Sequence, residues 1–363
     1  MNVRQQLGQA RRVIVKIGSR TLANDQELIA RLASDVASLT GPKRSFVIVS
    51  SGAVAIGCQR LGYKGRPKET AKLQAAAAAG QSVLMRRYDE AFAKEGLTVA
   101  QVLLTHADLA DRERLNNARE AFAALLEAGA VPIINENDTV STEEIRFGDN
   151  DQLSAMVVPL LGCELLILLT DVEGVLDHGG KRISVLKEDH VVFTHGASGE
   201  RVGSGGITSK VDAARNASRS GANVVIAPAT HPGVLHEIIR GDDVGTVFPR
   251  LGLPLRARKH WIAVTLRPRG TLILDDGAVR AVQGGKSSLL PIGVVGVRGQ
   301  FNPGDAVRLV ALDGKEVGRG LTKLGALDVA RSAGRKGADL DNLFGSGGAD
   351  SVVVHKDDLV VTL

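Results

Sequence analysis

Six short apolar runs, each closed by small or polar residues, constrain this chain more than any other feature. Residues 13–17, 46–49, 98–104, 131–134, 165–169 and 224–227 have strand length, and the nearly all-apolar 165–169 fits a strand covered on both faces. Helix-like stretches lie between and after them: 26–39, the alanine-rich 73–92, 117–128 closed by Gly129, 153–161 and 211–220. Strands and helices that alternate over short connections predict a doubly wound α/β domain with a mostly parallel sheet. In such a sheet the ligand crevice lies outside the carboxyl ends of the strands, so the residues that close each run face it.

Those closing residues are chemically loaded. The run 131–134 is expected to stop at Asn135, where Glu136, Asn137 and Asp138 follow, all poor strand formers. A second cluster, Gly148, Asp149, Asn150 and Asp151, precedes the helix-like 153–161. Asp or Asn there would also serve as a helix cap, but two clusters within fourteen residues favour a ligand-facing edge. Lys16 interrupts the first strand just before Gly18, Ser19, Arg20 and Thr21, read as a small-residue loop; a lysine snorkelling to water is the plain alternative. Ser50, Ser51, Gly52 and Ala53 make a turn whose backbone N–H groups can approach an anion, a weak signal alone. The strand 165–169 ends in Thr170 and Asp171.

A Gly-rich loop, Gly203 to Lys210, then runs into a helix start and carries a lysine. This combination of open N–H donors, a helix dipole and a point charge suits a nucleotide phosphate. Two other motifs fail. Gly285-Lys286-Ser287 has Arg280 where a Walker loop needs its leading glycine, and His236-Glu237 is followed by Arg240 in place of a second zinc-ligating histidine.

At 363 residues and 44% hydrophobic content the chain supports about two domains with a sizeable core. Its apolar runs fall far short of the roughly 20 residues of a membrane span, and the first 20 residues lack the apolar core of a signal peptide. Cys58 and Cys163 sit in apolar surroundings without metal-ligand spacing, as buried thiols of a cytoplasmic protein do. Residues 251–363 hold 16 Lys or Arg against 11 Asp or Glu, while residues 1–250 hold 29 of each, so the whole formal excess of +5 lies in the last third. A basic segment punctuated by Pro249, Pro254 and Pro268 separates the two. Beyond it, short β-like runs at 272–274, 294–297, 306–310 and 352–354 read as a small, mostly β module. The expected organisation is a catalytic domain over 1–250, a linker over 251–269 and the β module over 270–363.

Phosphoryl transfer between two anions needs positive charge around the transferring group and donors that hold the acceptor in line. Lys16 and Lys210 both emerge from glycine-bearing loops, and Asp151 is placed to orient them. No histidine sits in these loops, and a carboxylate acceptor would need no base because it is already ionised. The pattern favours a carboxylate kinase that makes an acyl phosphate.

K-I-G-S-R-T-L, V-S-S-G-A-V-A-I-G, V-P-I-I-N-E-N-D, F-G-D-N-D-Q-L-S-A, L-L-T-D-V-E-G-V and S-G-G-I-T-S-K resemble, in this order, the motifs of the amino-acid kinase family. The match is strongest to its branch that phosphorylates the side-chain carboxylate of L-glutamate, the first step of proline biosynthesis. The tail G-K-S-S-L-L-P-I-G-V with F-N-P-G-D-A-V resembles a PUA module, so the likeness covers essentially the full chain. The resemblance implies that Lys16 and Lys210 stabilise the transferring phosphoryl group and that Asp151 organises both. It implies glutamate binding by Ser51, Asp138 and Asn150, and nucleotide contacts at Thr170 and Asp171. It also implies that Ser204, Gly205, Gly206, Ile207, Thr208, Ser209 and Lys210 close over the phosphates. The family uses ATP with Mg2+ held largely through phosphate oxygens, is inhibited by proline and forms dimers or tetramers. Two departures stand out: the stretch V-E-G-V-L-D-H-G-G-K-R-I after Asp171 is shorter than usual, which leaves the adenine-side contacts open, and Ser204 replaces a common threonine.

Two alternatives follow from the same residues. One is a relative acting on N-acetylglutamate, aspartate or carbamate. The other is RNA binding by the basic C-terminal module, less favoured than a structural or regulatory appendage because +5 is modest and Phe301 and Phe344 are its only aromatics beyond residue 270.

Overall fold

A computed structural model describes residues 2–140, 150–186, 206–251, 259, 261–285, 287–345 and 347–361. The chain divides into two compact units, Met1–Pro254 and Leu255–Leu363.

The first unit is built on a seven-stranded sheet: β1 (Arg12–Ile17), β2 (Ser45–Ser50), β3 (Val99–Leu104), β4 (Val131–Glu136), β5 (Leu165–Thr170), β6 (Asn223–Pro228) and β7 (Thr246–Phe248). They lie in the order β3-β4-β2-β1-β5-β6-β7, all parallel to their neighbours except β7, which runs antiparallel to β6. β4, β5 and β6 are buried along their whole length, as strands covered on both faces must be. The order reverses at β1, which pairs with β2 on one side and β5 on the other. That reversal opens the crevice where a doubly wound sheet binds its ligand.

The doubly wound expectation is met, with local corrections. β4 runs two residues past the expected stop, because Asn135 and Glu136 continue the ladder against Leu103 and Leu104 of β3. Residues Ser19–Asn24 form a short helix where a loop was expected. The alanine-rich helix spans Thr70–Lys94 and packs on helix Ala53–Arg60 at unusually close range. A Cβ on Gly57 would lie 1.7 Å from the carbonyl oxygen of Ala76, and one on Gly80 would lie 1.8 Å from that of Ala53. Only glycine at positions 57 and 80 allows this approach.

The second unit carries a five-stranded sheet: β8 (Gly270–Leu274), β9 (Val294–Gly299), β10 (Ala306–Val310), β11 (Glu316–Thr322) and β12 (Val354–Val361), in the order β12-β11-β10-β8-β9. The β-like runs at 272–274, 294–297 and 306–310 fall in strands, 352–354 overlaps β12 only at Val354, and β11 has no counterpart among the expected runs. Its two glycines hide the alternation, and they are there because a Cβ on Gly318 would meet the Val360 carbonyl at 2.5 Å. Within the stretch expected as a linker, Trp261–Thr265 is helical and Ile262 is fully buried near Ala306, Leu321 and Val360. Among the described residues no helix is long and apolar enough to cross a membrane.

Candidate active site

The carboxyl ends of β4, β2, β1 and β5 lie side by side, and each delivers a polar group. β1 delivers Lys16, 4% exposed, and helix Asn150–Leu161 begins with two buried polar residues, Asn150 and Asp151. Nζ of Lys16 lies 2.5 Å from Oδ1 of Asp151, and Nζ of Lys210 lies 3.1 Å from Oδ2. Ser209 Oγ also donates to Oδ2, at 3.4 Å. Burial works against the charge on Asp151, but Lys16 and Lys210 together outweigh it and hold the carboxyl below its ordinary value. Two ammonium groups that would repel each other are thereby held on one point.

Lys210 gets there because Gly206 caps the start of helix Ile207–Arg219, with Lys210 in its first turn. Backbone N–H groups in that first turn have no intrahelical acceptor and form a ready anion site. Ile207 and Ser209 are half-buried there and Thr208 is exposed, while Ser204 and Gly205 lie outside the described residues.

Beside the charged cluster is a second, uncharged one. Asn150 Nδ2 is 2.8 Å from each of three oxygens: the Ser50 carbonyl, Ser51 Oγ and Asn135 Oδ1. Asn135 in turn donates through Nδ2 to Gln81 Oε1, and Tyr88 OH donates to Ser50 Oγ at 2.9 Å in the buried layer beneath. This network holds Asn150 Oδ1 buried with no hydrogen-bond donor among the described residues. Ser51, Asn135, Asp138 and Asn150 line one small pocket together with Ser19, Arg66, the carboxyl-bearing Glu136 and the start of helix Ala53–Arg60. Burial, only partly offset by Arg66, raises the Asp138 carboxyl to about 6. Gly52, with φ of 110°, turns β2 directly into helix Ala53–Arg60 at the pocket edge.

On the other side of β1, Thr170 is buried at the end of β5 and donates through Oγ1 to Asp171 Oδ1 at 3.1 Å. Asp171 is half-exposed and pairs with Arg20 at 3.4 Å. Burial raises its carboxyl, but hydrogen bonds from its own backbone amide and from Thr170, with Arg20, bring it below the ordinary value. The structure thus brings Lys16, Lys210 and Asp151 into direct contact, gathers Ser51, Asp138 and Asn150 around one pocket, and sets Thr170 and Asp171 on the next strand. Asn135, Gln81, Tyr88, Arg66 and Arg20 were not singled out as site residues. Asn135 was legible as the first polar residue after an apolar run, whereas Gln81 and Tyr88 sit inside a long helix with nothing local to mark them.

The amino acid kinase family profile matches residues 11–228, more than half of the chain. The chain belongs to the amino acid kinase family. The PUA domain profile matches residues 270–344, within the second unit of this amino acid kinase. Curated relatives include the glutamate 5-kinase of Thermus thermophilus, 46% identical over 362 residues, and that of Pelobacter propionicus, 43% identical over 364, each aligned across 97% of both chains. The glutamate 5-kinase of Geobacter metallireducens is 43% identical over 368 residues, 98% of each chain.

Proposed function

We propose that this amino acid kinase transfers the γ-phosphoryl group of ATP to the side-chain carboxylate of L-glutamate, giving L-glutamyl 5-phosphate and ADP, the first step of proline biosynthesis. The observation that carries this reading is the convergence of Lys16 and Lys210 on one buried carboxylate, next to a pocket lined by amide and acid side chains. Relatives called glutamate 5-kinase over nearly the full chain support the choice of acceptor.

An oxygen of the glutamate γ-carboxylate attacks the γ-phosphorus as the bond from that phosphorus to the β,γ-bridging oxygen breaks, and the electron pair leaves with ADP. The attacking oxygen carries no proton, so no general base is required. Negative charge spreads over the oxygens of the transferring group, and Lys16 and Lys210 meet it, with Asp151 keeping the two ammonium groups at fixed separation. The N-terminus of helix Ile207–Arg219 is placed for the phosphates, and Thr170 and Asp171 for the nucleotide side. In the acceptor pocket, Asp138 and Asn150 Oδ1, which has no donor among the described residues, suit the ammonium group of an amino acid, while Ser51 contributes a hydroxyl.

Among the described residues no group of three or more His, Cys, Asp or Glu could hold a metal ion, and both Asp151 oxygens face lysines. Mg2+ would enter as part of the nucleotide substrate, bound largely through phosphate oxygens, as in the family. The proposal extends to feedback inhibition by proline, to a dimer or tetramer and to a cytoplasmic setting; RNA binding by the PUA domain is not favoured.

ADP release measured with glutamate, N-acetylglutamate, aspartate and carbamate as acceptors tests the acceptor. Turnover is expected with glutamate and reduced by proline; preference for any of the other three would overturn the assignment.

A further inference from the structure

At the ends of β1 and β2 remote from Lys16 and Ser51, a cleft of about 940 Å3 is lined by five cationic side chains and one acid: Arg11, Arg12, Lys43, Arg44, Arg119 and Glu127. Residues 1–250 carry 29 basic and 29 acidic side chains, so five against one in a single concavity is not the average of this surface. Exposed Ala123 and half-buried Leu126 also line it, giving an apolar wall beside the charge.

The cations are not equally committed. Arg44 donates to the carbonyls of Ala10 and Gly8 at 3.1 and 2.7 Å, Arg119 to Asn116 at 2.8 Å, and Arg12 to the carbonyl of Leu161. Among the described residues, no hydrogen bond or ion pair engages the side chain of Arg11 or Lys43. Like charges crowded in a concave surface repel, and field lines focus there, so the cleft favours a multiply charged anion. Guanidinium forks match phosphate oxygens in geometry, and the apolar wall suits a planar ring.

We infer that this cleft is a second anion site, distinct from the catalytic crevice, which takes a small molecule bearing two or more phosphate groups on an apolar ring body. Leu161 ends the twelve-residue helix whose first residues are Asn150 and Asp151, so occupancy of the cleft bears on an element that reaches the catalytic site. That consequence rests on the kinase reading; the binding itself does not.

The test is calorimetric titration of the full chain at physiological salt with inorganic tripolyphosphate and, separately, with GTP. It is run on wild type, on Arg11→Ala/Lys43→Ala and on Lys210→Ala. Both cleft residues are exposed, so their variant is expected to fold and to keep its turnover. The expected result is a saturable site of one anion per chain that survives Lys210→Ala, weakens at least about tenfold in the cleft variant, and holds GTP more tightly than tripolyphosphate. Binding abolished by Lys210→Ala but intact in the cleft variant would overturn the proposal. So would non-saturating binding in wild type, or sedimentation showing that the cleft variant only loses contact with a second copy of the chain. Equal affinity for the two probes would overturn the ring body.

Discussion

Lys16 and Lys210 end on different oxygens of the same carboxylate: Nζ of the first is 2.5 Å from Oδ1 of Asp151, Nζ of the second 3.1 Å from Oδ2. A shared counter-ion makes the two lysines one device. Removing either ammonium group takes away charge that faces the transition state more than the ground state. Lys16→Ala and Lys210→Ala are each expected to lower kcat by about a hundred- to a thousandfold, with unchanged far-ultraviolet circular dichroism. The two losses should not add in the double variant. Near wild-type turnover in either single variant, in a coupled ADP assay, would remove the basis of the phosphoryl-transfer reading.

Asp151 itself carries stability as well as position. Its replacement by alanine leaves two buried ammonium groups facing one another and should cost about 3–5 kcal/mol, read from the urea midpoint. The same carboxyl is held below the ordinary value of 3.8 in the folded state. Its contribution is therefore complete above that value and is lost as pH falls through the lower folded one. Stability of wild type and Asp151→Ala should converge under acid.

Asp138 has the opposite sign. Burial raises its carboxyl to about 6, so between about 4 and 6 the folded chain holds a proton that the unfolded chain has released. Its favourable contribution is full below the unfolded value and is lost as pH rises through 6. Asp138→Asn should then be at least as stable as wild type at neutral pH. For binding, the ionised form is the one that can meet an ammonium group. As pH rises towards 6, KM for glutamate should fall by about tenfold per unit and then level off, and this slope should vanish in Asp138→Asn. A pH-independent KM in wild type between 5 and 7 would separate Asp138 from glutamate recognition.

Gly57 and Gly80 set the distance between helix Ala53–Arg60 and helix Thr70–Lys94. An added Cβ would lie 1.7–1.8 Å from a backbone oxygen in each case, which neither helix can yield without sliding. Gly57→Ala and Gly80→Ala are each expected to lower stability by about 1–3 kcal/mol, despite the better helix propensity of alanine. Helix Ala53–Arg60 starts at Gly52 in the acceptor pocket, so the slide should also raise KM for glutamate more than KM for ATP. Thermal melting and paired kinetics check both.

What could be read in the sequence was whatever is periodic or abrupt. The apolar run 165–169 within β5 and the polar stop after residue 134 marked the sheet and its ligand edge, and Lys16 stood out by interrupting an apolar run. Relations between distant residues were not legible. Gln81 and Tyr88 lie mid-helix, and their role comes only from the turn of that helix that faces β2 and β4. β11 escaped because Gly318 and Gly320, forced by close backbone approach, break the alternation that marks a strand. Helix Ser19–Asn24 escaped because Gly18 and Ser19 resemble loop residues, although Gly18 serves as its N-cap.

Asn150 poses a sharper question than the lysines, because its amide must donate on one side and accept on the other. Nδ2 has two hydrogens for three oxygens at 2.8 Å, from Ser50, Ser51 and Asn135, so at least one hydrogen is shared and none is spare. That fixes the flip of the amide: Nδ2 points into the protein and Oδ1 is left buried without a donor among the described residues, on the residue that lines the pocket. Asn150→Asp is nearly isosteric but sets a carboxylate against the Ser50 carbonyl and the Asn135 amide oxygen, while the Ser51 hydroxyl can turn to donate; each contact that goes from attraction to repulsion costs about 1–3 kcal/mol. It should lower kcat/KM for glutamate by at least about a hundredfold and reduce stability, while KM for ATP changes little. Gln81→Leu is the control. It removes only the acceptor for Asn135 Nδ2, and the Gln81 Nε2 that it also deletes is buried without a partner among the described residues. Its effect on KM for glutamate should therefore be several-fold at most. If Gln81→Leu were as damaging as Asn150→Asp, the amide network would act by holding the fold, and recognition of the acceptor would have to be sought in Ser51 and Asp138 alone.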